Sequence, residues 1–160
     1  MTSPGSHTLR FELREGDEEA VRAIVESTDF FSPAEINIAV ELVQERRAKG
    51  EASGYHFVFL DEVHAGRTRT LGYACYGPID GTLSSYDLYW IAVADSLRGR
   101  GLGRVLLQES ERRIAAAGGQ RIYVDTSSRA TYVPTRAFYE RSATSRKPCW
   151  PTSTPRATAR

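Results

Sequence analysis

A short stretch rich in glycine and arginine, placed between an apolar run and a second apolar segment, constrains the fold more than any other part of the chain. Its residues are Arg98, Gly99, Arg100, Gly101, Leu102, Gly103 and Arg104. Glycines let the backbone turn sharply without a Cβ, so several N–H groups can point at one anion, and a helix behind them adds its positive N-terminal end. The arginines add cations around the same anion. The stretch therefore predicts a strand, a diphosphate-binding turn and a helix.

The glycine spacing excludes two other nucleotide-binding loops. A Rossmann fingerprint requires glycine at the first, third and sixth positions, and the sixth position counted from Gly99 is Arg104. A Walker loop requires Gly-Lys-Ser/Thr, which the chain lacks. The pattern that remains, Arg98-x-x-Gly101-x-Gly103, resembles the coenzyme A pyrophosphate loop of the GNAT superfamily of acyl-CoA N-acyltransferases. A solvated turn or an RNA-contacting loop is the alternative, and the flanking strand and helix favour the coenzyme A interpretation.

Length and composition bound the class of protein. At 160 residues, with 41% hydrophobic and 26% charged residues, the chain predicts one globular domain. It has no long apolar run and no secretory signal, so we expect a cytoplasmic protein with no membrane partner. Cys75, Cys149 and the three scattered histidines lack metal-ligand spacing, so we expect no metal. The net charge of +1 argues against a specific nucleic-acid partner.

Hydrophobic periodicity and turn signals predict the element order β-α-α-β-β-β-α-β-α. The predicted strands are residues 9–14, 55–60, 70–76, 88–93 and 121–125, and the predicted helices begin at Asp17, after the capping box Ser32-Pro33-Ala34-Glu35, at about Leu102 and at Pro134. This order is that of the GNAT fold, a mixed α/β sheet. The resemblance implies a GNAT domain over residues 9–141, after a flexible leader over residues 1–8.

The resemblance implies transfer of an acetyl group from acetyl-CoA to a primary amine on a small-molecule or peptide acceptor. The amine is protonated near neutral pH, so a carboxylate has to accept its proton. Asp87 is the candidate base, because it lies on the strand that leads into the loop, and alternation predicts that it shares a face with Tyr89, Ile91 and Val93. A strand-end aspartate that meets solvent or caps a turn is an equally open interpretation.

The same resemblance assigns further roles along the chain. Residues 135–141 are similar to the GNAT helix whose tyrosine donates to the coenzyme sulfur, which implies Tyr139 as a second catalytic residue; a plain surface tyrosine is the alternative. The backbone of Ile91, Ala92 and Val93 is implied to bind the pantetheine arm and to supply the oxyanion donor. Three aromatic residues are candidates either for the acceptor pocket or for the core: Tyr86, Tyr89 and Trp90.

The end of the chain departs from the family pattern. Residues 142–160 contain no Leu, Ile, Val or Phe and have three prolines, which predicts a disordered basic tail and a GNAT fold that is incomplete at the C-terminus. A shifted reading frame is our hypothesis for this change, and a basic tail that binds an acidic partner is the alternative. An incomplete sheet would leave residues 121–125 at an open edge, so we expect self-association there. A non-catalytic acyl-CoA-binding remnant and an RNA-binding module remain alternative functions.

Overall fold

A five-stranded mixed sheet with helices packed on both faces forms the domain. The computed structural model describes residues 6–97 and 99–124. In chain order the elements are β1 Ser6–Arg10, α1 Asp17–Ser27, α2 Pro33–Lys49, β2 His56–His64, β3 Arg67–Pro78, β4 Ser85–Val93, α3 Leu102–Ala116 and β5 Arg121–Val124. The strands follow the order β1-β2-β3-β4-β5, with β1 to β4 antiparallel and β5 parallel to β4. The predicted mixed α/β architecture is confirmed through β5.

The signals for α2 act as the sequence predicts. Ser32 Oγ accepts a hydrogen bond from the Glu35 N–H at 3.2 Å, and Glu35 Oε2 accepts one from the Ser32 N–H at 2.7 Å. This reciprocal capping box satisfies two backbone donors that a helix start leaves without partners. Pro33 occupies the first turn, and the helix ends before Gly50.

The predicted strands 55–60 and 70–76 form an antiparallel hairpin, β2 and β3, and both strands are longer than the apolar runs indicate. Ala65 and Gly66 form its two-residue turn with φ of 50° and 74°, and His64 pairs with Arg67 across it. Positive φ at both turn positions matches the right-handed twist of the flanking strands. The turn therefore extends the pairing through polar residues that periodicity alone does not assign to a strand.

The position of β1 differs from the prediction. The alternating residues of 9–14 predict one strand, whereas the strand runs over Ser6–Arg10, so part of the predicted leader pairs with β2. Leu9 and Phe11 pack against the cluster under α3, and Leu13 packs against the cluster under α1 and α2. The chain thus crosses from one face of the sheet to the other after Arg10, and the alternation continues beyond the strand.

A buried ionic cluster explains why the chain turns at Arg10. The Arg10 guanidinium is 9% exposed, and it donates to Asp61 Oδ2 at 2.8 Å and to both carboxylate oxygens of Asp17 at 2.9 Å. Asp61 also accepts from Thr70 Oγ1 at 2.9 Å, and the guanidinium carbon lies 4.3 Å from the centre of the Phe59 ring. Burial alone would lower the pKa of Arg10, but hydrogen bonds and charges from the two aspartates raise it. The cluster ties β1, the start of α1 and β2 together.

Candidate functional site: a glycine loop beside an open strand edge

The glycine loop has the geometry that an anion cradle requires. Gly99 and Gly101 have φ of 79° and 74°, in the left-handed region that side chains with a Cβ rarely adopt. A Cβ built on either glycine meets no atom within 4 Å, so the space beside the loop backbone is open. This conformation and the open space are compatible with an anion bound to backbone N–H groups. Arg98 lies outside the described residues.

The first turn of α3 aims its polar backbone at the same space. Gly101 is the N-cap, and its carbonyl accepts the first helical hydrogen bond from the Val105 N–H at 3.3 Å. The N–H groups of the first turn have no acceptor within a helix, and the helix dipole adds positive potential there. No acidic residue stands in this turn, and Arg100 and Arg104 are exposed beside it. The α3 N-terminus therefore presents backbone N–H donors beside two arginines, and its first turn contains no carboxylate.

The C-terminus of α1 braces the segment that leads into the loop. The Asp95 N–H donates to Ser27 Oγ at 3.0 Å, and the Ser27 hydroxyl donates to the Ile24 carbonyl at 2.7 Å. A tight turn follows, in which the Leu97 N–H donates to the Ala94 carbonyl at 2.9 Å. These contacts hold the end of β4 in a fixed position relative to α1.

The edge of β4 changes partner along its length. β5 pairs with β4 from Ser85 to Leu88, and within the described residues no strand pairs with β4 on that side from Tyr89 onward. On the other side, β3 pairs with the strand as far as Val93. The backbone of Ile91, Ala92 and Val93 thus lies on an edge that opens toward the glycine loop. An extended ligand can add to such an edge as a strand does.

A β-bulge at Tyr89 overturns part of the prediction for Asp87. Leu88 pairs with Tyr76 and Trp90 pairs with Cys75, so Tyr89 is an extra residue in β4. An extra residue reverses the alternation beyond it. Ile91 consequently packs under α3, whereas Asp87 pairs with Gly77 and projects to the opposite face. The expectation that Asp87 shares a face with Ile91 and Val93 is wrong; it shares a face with Tyr89.

Asp87 and Tyr89 belong to a small polar cluster on the α2 side of the sheet. The ring of Tyr89 meets that of Tyr55 edge to face, with centres 5.5 Å apart. Burial, and to a lesser degree the negative charge of Asp87, raises the pKa of Tyr89 to about 12. The Tyr89 hydroxyl therefore stays protonated at neutral pH and is a hydrogen-bond donor. Gly77 permits this packing, because a Cβ there would overlap the Gly54 carbonyl oxygen and would lie 3.2 Å from Cε2 of Tyr89.

An aromatic wall stands on the same face, nearer the α1–α2 connection. The rings of Phe31 and Trp90 lie 4.8 Å apart, and Phe30 meets Phe31 edge to face at 5.1 Å. Of the three aromatic candidates for an acceptor pocket, Trp90 and Tyr89 therefore face this region, whereas Tyr86 packs on the α3 side. Tyr55 and Phe31 were missed by the sequence reasoning, because nothing in their local pattern places them beside β4.

Tyr139 and Cys149 lie outside the described residues. Cys75 is buried in β3, and burial raises the pKa of its thiol, which fits a packing role.

Over residues 6–97 and 99–124, no group of three or more His, Cys, Asp and Glu side chains is arranged to hold a metal ion. In the same part of the chain, no helix has the length and apolar character to cross a membrane.

The sheet is mixed, and within the described residues its parallel pair joins β5 to only the first part of β4. A glycine loop leads directly into α3. Together these features define the fold class of the acyl-CoA N-acyltransferases. The family model described as the acetyltransferase (GNAT) family matches residues 21–143, so the chain belongs to this family. No curated protein matches the chain.

Solved structures agree with this assignment. A GNAT-family protein from Desulfovibrio desulfuricans is 44% identical, with a TM-score of 0.78 over 86% of this chain and 83% of that one. PaiA N-acetyltransferase from Thermoplasma acidophilum, in complex with coenzyme A, is 16% identical with a TM-score of 0.61, covering 85% and 88% of the two chains. A Brucella melitensis GNAT acetyltransferase in complex with acetyl-CoA is 20% identical with a TM-score of 0.55, covering 82% of each chain. The last two comparisons establish the shared fold.

Proposed function

We propose that this protein transfers an acetyl group from acetyl-CoA to a primary amine. The observation that carries the proposal is the glycine loop, whose left-handed glycines leave open space beside the backbone at the N-terminus of α3. The loop follows the part of β4 that pairs with no strand on the β5 side among residues 6–97 and 99–124, so one extended ligand with a diphosphate at one end can contact both. Acetyl-CoA has this form, and two structural relatives carry coenzyme A or acetyl-CoA in their solved complexes.

The proposed binding mode divides the coenzyme between two parts of the chain. The pyrophosphate would lie on the N–H groups of residues 99–104, with Arg98, Arg100 and Arg104 as its cations. The pantetheine arm would extend along the backbone of Ile91, Ala92 and Val93 and bring the thioester to the bulge. A backbone N–H of this segment would stabilise the negative charge that develops on the thioester carbonyl oxygen.

The proposed chemistry needs one base and one thiolate partner. The neutral amine attacks the carbonyl carbon of the thioester, the carbon–sulfur bond breaks, and coenzyme A leaves as a thiolate. Asp87, directly or through a water molecule, would accept one proton from the bound ammonium and so give the neutral amine that attacks. Tyr139 would donate its hydroxyl proton to the departing sulfur and would regain a proton from the one that the nitrogen loses after attack. The products are the acetylated amine and free coenzyme A.

The acceptor is proposed to enter on the α2 side of the sheet. Asp87 supplies a carboxylate there, and the Tyr55–Tyr89 pair supplies aromatic faces that attract an ammonium group. The Phe31–Trp90 wall offers an apolar surface for the carbon skeleton that carries the amine. These features favour amines attached to an apolar or aromatic body over strongly anionic acceptors.

An assay that separates binding from turnover tests the proposal. The chain is incubated with acetyl-CoA and a panel of primary amines, free thiol is followed with a chromogenic disulfide, and acetylated products are identified by mass spectrometry. Thiol release that depends on the amine supports the transferase. Coenzyme A binding without turnover on any amine would instead favour a non-catalytic acyl-CoA-binding protein, and salt-sensitive RNA affinity without coenzyme binding would favour the RNA alternative.

Substitution of Gly101 by valine is expected to raise the Kd for coenzyme A by about 10–100-fold. A β-branched residue at positive φ costs about 1–3 kcal/mol, and its side chain would enter the open space of the loop. Arg100→Ala removes one exposed cation among several, so a rise of no more than about fivefold is expected. Isothermal titration calorimetry of both variants measures these changes.

Gly118→Val is the matched control for this prediction. Gly118 also has positive φ, at 90°, and a Cβ there also meets no atom within 4 Å, but it lies past the other end of α3. This variant should lose thermal stability to a similar degree while its Kd for coenzyme A stays within about twofold of the parent. Equal losses for Gly101→Val and Arg100→Ala would contradict the proposed backbone cradle.

A further inference from the structure

A second concave site lies at the opposite end of α3 from the glycine loop. This open cavity, called here the α3 C-terminal cavity, has a volume of about 350 Å³ and is lined by Glu51, His56, Tyr76, Tyr86, Arg112 and Arg113, with the last turn of the helix. A 15-residue helix is about 22 Å long, so the cavity is well separated from the proposed coenzyme site. It also lies on the α3 side of the sheet, whereas Asp87 and Tyr89 project to the α2 side.

Arg113 gives the cavity a positively charged side chain. Its Nε donates to the Tyr76 hydroxyl at 3.3 Å, and its guanidinium carbon lies 3.8 Å from the centre of the Phe11 ring. These two contacts hold the guanidinium in place, and within residues 6–97 and 99–124 its other two nitrogens donate to no residue. The neighbouring Arg112 is instead paired with Glu109 and is 66% exposed. Arg113 therefore has the capacity to bind an anion through its remaining N–H groups.

The walls of the cavity are flat rings. The imidazole of His56 stacks on Tyr76, with ring centres 5.4 Å apart and an interplanar angle of 25°, and Tyr86 lies 6.4 Å from Tyr76. Burial lowers the pKa of His56, Arg46 and Arg113 lower it further, and the carboxylate of Glu51 acts in the opposite direction. The lowered pKa favours the neutral form of the His56 imidazole. The lining combines aromatic surfaces with two arginines, of which Arg112 is paired with Glu109 and Arg113 is held by Tyr76 and Phe11.

This chemistry selects one class of ligand. A phosphate dianion is best held by several cations, and Glu51 repels a dianion about twice as strongly as a carboxylate monoanion. A cationic ligand would be repelled by Arg112 and Arg113. A planar carboxylate can accept two hydrogen bonds from one guanidinium, and an attached ring can pack on the aromatic walls. The volume lies within the range of small-ligand pockets.

We propose that the α3 C-terminal cavity binds a small aromatic carboxylate, with its carboxylate on Arg113 and its ring against Tyr76 and His56. The site is independent of the proposed acetyl transfer, because no residue of the glycine loop or of the Asp87 cluster lines it. The ligand would reach the protein whether or not coenzyme A is bound.

Benzoate is the probe that tests this site on the full chain. Binding measured by NMR titration should be at least about tenfold tighter for benzoate than for benzamide, which has the same shape without the charge, and benzylamine should not bind. Arg113→Gln should weaken benzoate binding by about tenfold or more, whereas Arg112→Gln, the same change one residue earlier, should alter it by less than about twofold. Equal affinity for benzoate and benzamide, or equal losses in the two variants, would overturn the proposal.

Two further readouts use the unsubstituted chain. Benzoate should raise the pKa of His56 in a histidine NMR titration, because an added negative charge favours the imidazolium, whereas benzamide should not. Saturating coenzyme A should leave the benzoate Kd unchanged. Displacement of benzoate by coenzyme A would place the anion in the glycine loop, and an unchanged His56 titration would place it away from the cavity; either result contradicts the assignment.

Discussion

Arg10→Met is expected to lower the free energy of unfolding by about 3–5 kcal/mol. The substitution keeps an unbranched side chain of similar length but removes the guanidinium that both Asp17 and Asp61 face. Those carboxylates are 4% and 1% exposed, so their charges would remain buried without their main cation. The Arg14 guanidinium lies 3.5 Å from Asp61 Oδ2 but its side chain is 57% exposed, so it offsets that charge only in part, and Thr70 Oγ1 and the Arg14 N–H are neutral donors. Urea unfolding followed by circular dichroism measures the difference.

Arg47→Met is the matched control for this experiment. Arg47 forms the same kind of two-nitrogen contact, to Glu18 at 2.6 and 2.8 Å, but its side chain is 43% exposed. Exposed pairs contribute about 0–1 kcal/mol because water solvates both partners and salt screens them. If the two variants lose equal stability, burial of the Arg10 cluster is not what makes it stabilising.

Local signals were sufficient for the elements that end at specific residues. The capping box at Ser32 acts through backbone geometry within a few residues, and the structure confirms it. The end of α2 before Gly50 and the Ala65–Gly66 turn are determined in the same local way. The turn predicted between a strand and a helix is confirmed as well, with positive φ at Gly99 and Gly101, and its role in binding an anion stays a prediction.

Features that depend on pairing between distant segments could not be predicted. Nothing in the residues of β4 marks Tyr89 as the bulged position, because the bulge exists only relative to the register with β3. One extra residue exchanged the two faces beyond it, which is why Asp87 and Ile91 were assigned to the same side. Alternation therefore predicts which face of the sheet a strand residue occupies only where the pairing with the neighbouring strand is regular.

Side-chain clusters were the least accessible to sequence reasoning. Arg10 and Asp61 are separated by 51 positions, and Asp17 looked like an ordinary charge in a first helical turn. The residues of the α3 C-terminal cavity come from three strands, a helix and the turn before β2, and none has a distinctive local motif. Such sites are set by topology, so they become visible only when the strands are placed side by side.

Asp87→Asn is expected to lower kcat for acetyl transfer by about 10²–10⁴-fold at neutral pH, if Asp87 is the base that we propose. Asparagine has nearly the same shape but cannot accept the amine proton, so only acceptor molecules that are already neutral would react. A lysine-like amine has a pKa of about 10.4, so the variant's rate should rise about tenfold per pH unit between pH 6 and 9, and the deficit should be greatest at low pH. The parent should respond less steeply, because its carboxylate removes the proton on the enzyme. Initial rates across this range, with saturating acetyl-CoA, measure both slopes.

Asp80→Asn is the control that separates this role from a general loss of negative charge. Asp80 lies in the exposed β3–β4 connection, and its charge also acts on Tyr89, though less than that of Asp87. Asp80→Asn should keep the parent's rate and pH slope. Removal of the Asp87 carboxylate should also lower the pKa of Tyr89 from about 12, since a nearby negative charge opposes ionisation of the phenol. Comparison of ultraviolet titrations for Asp87→Asn and Asp87→Asn/Tyr89→Phe isolates that tyrosine. A shifted Tyr89 with an unaltered pH–rate profile would confirm that the two side chains are neighbours and would rule out Asp87 as the base.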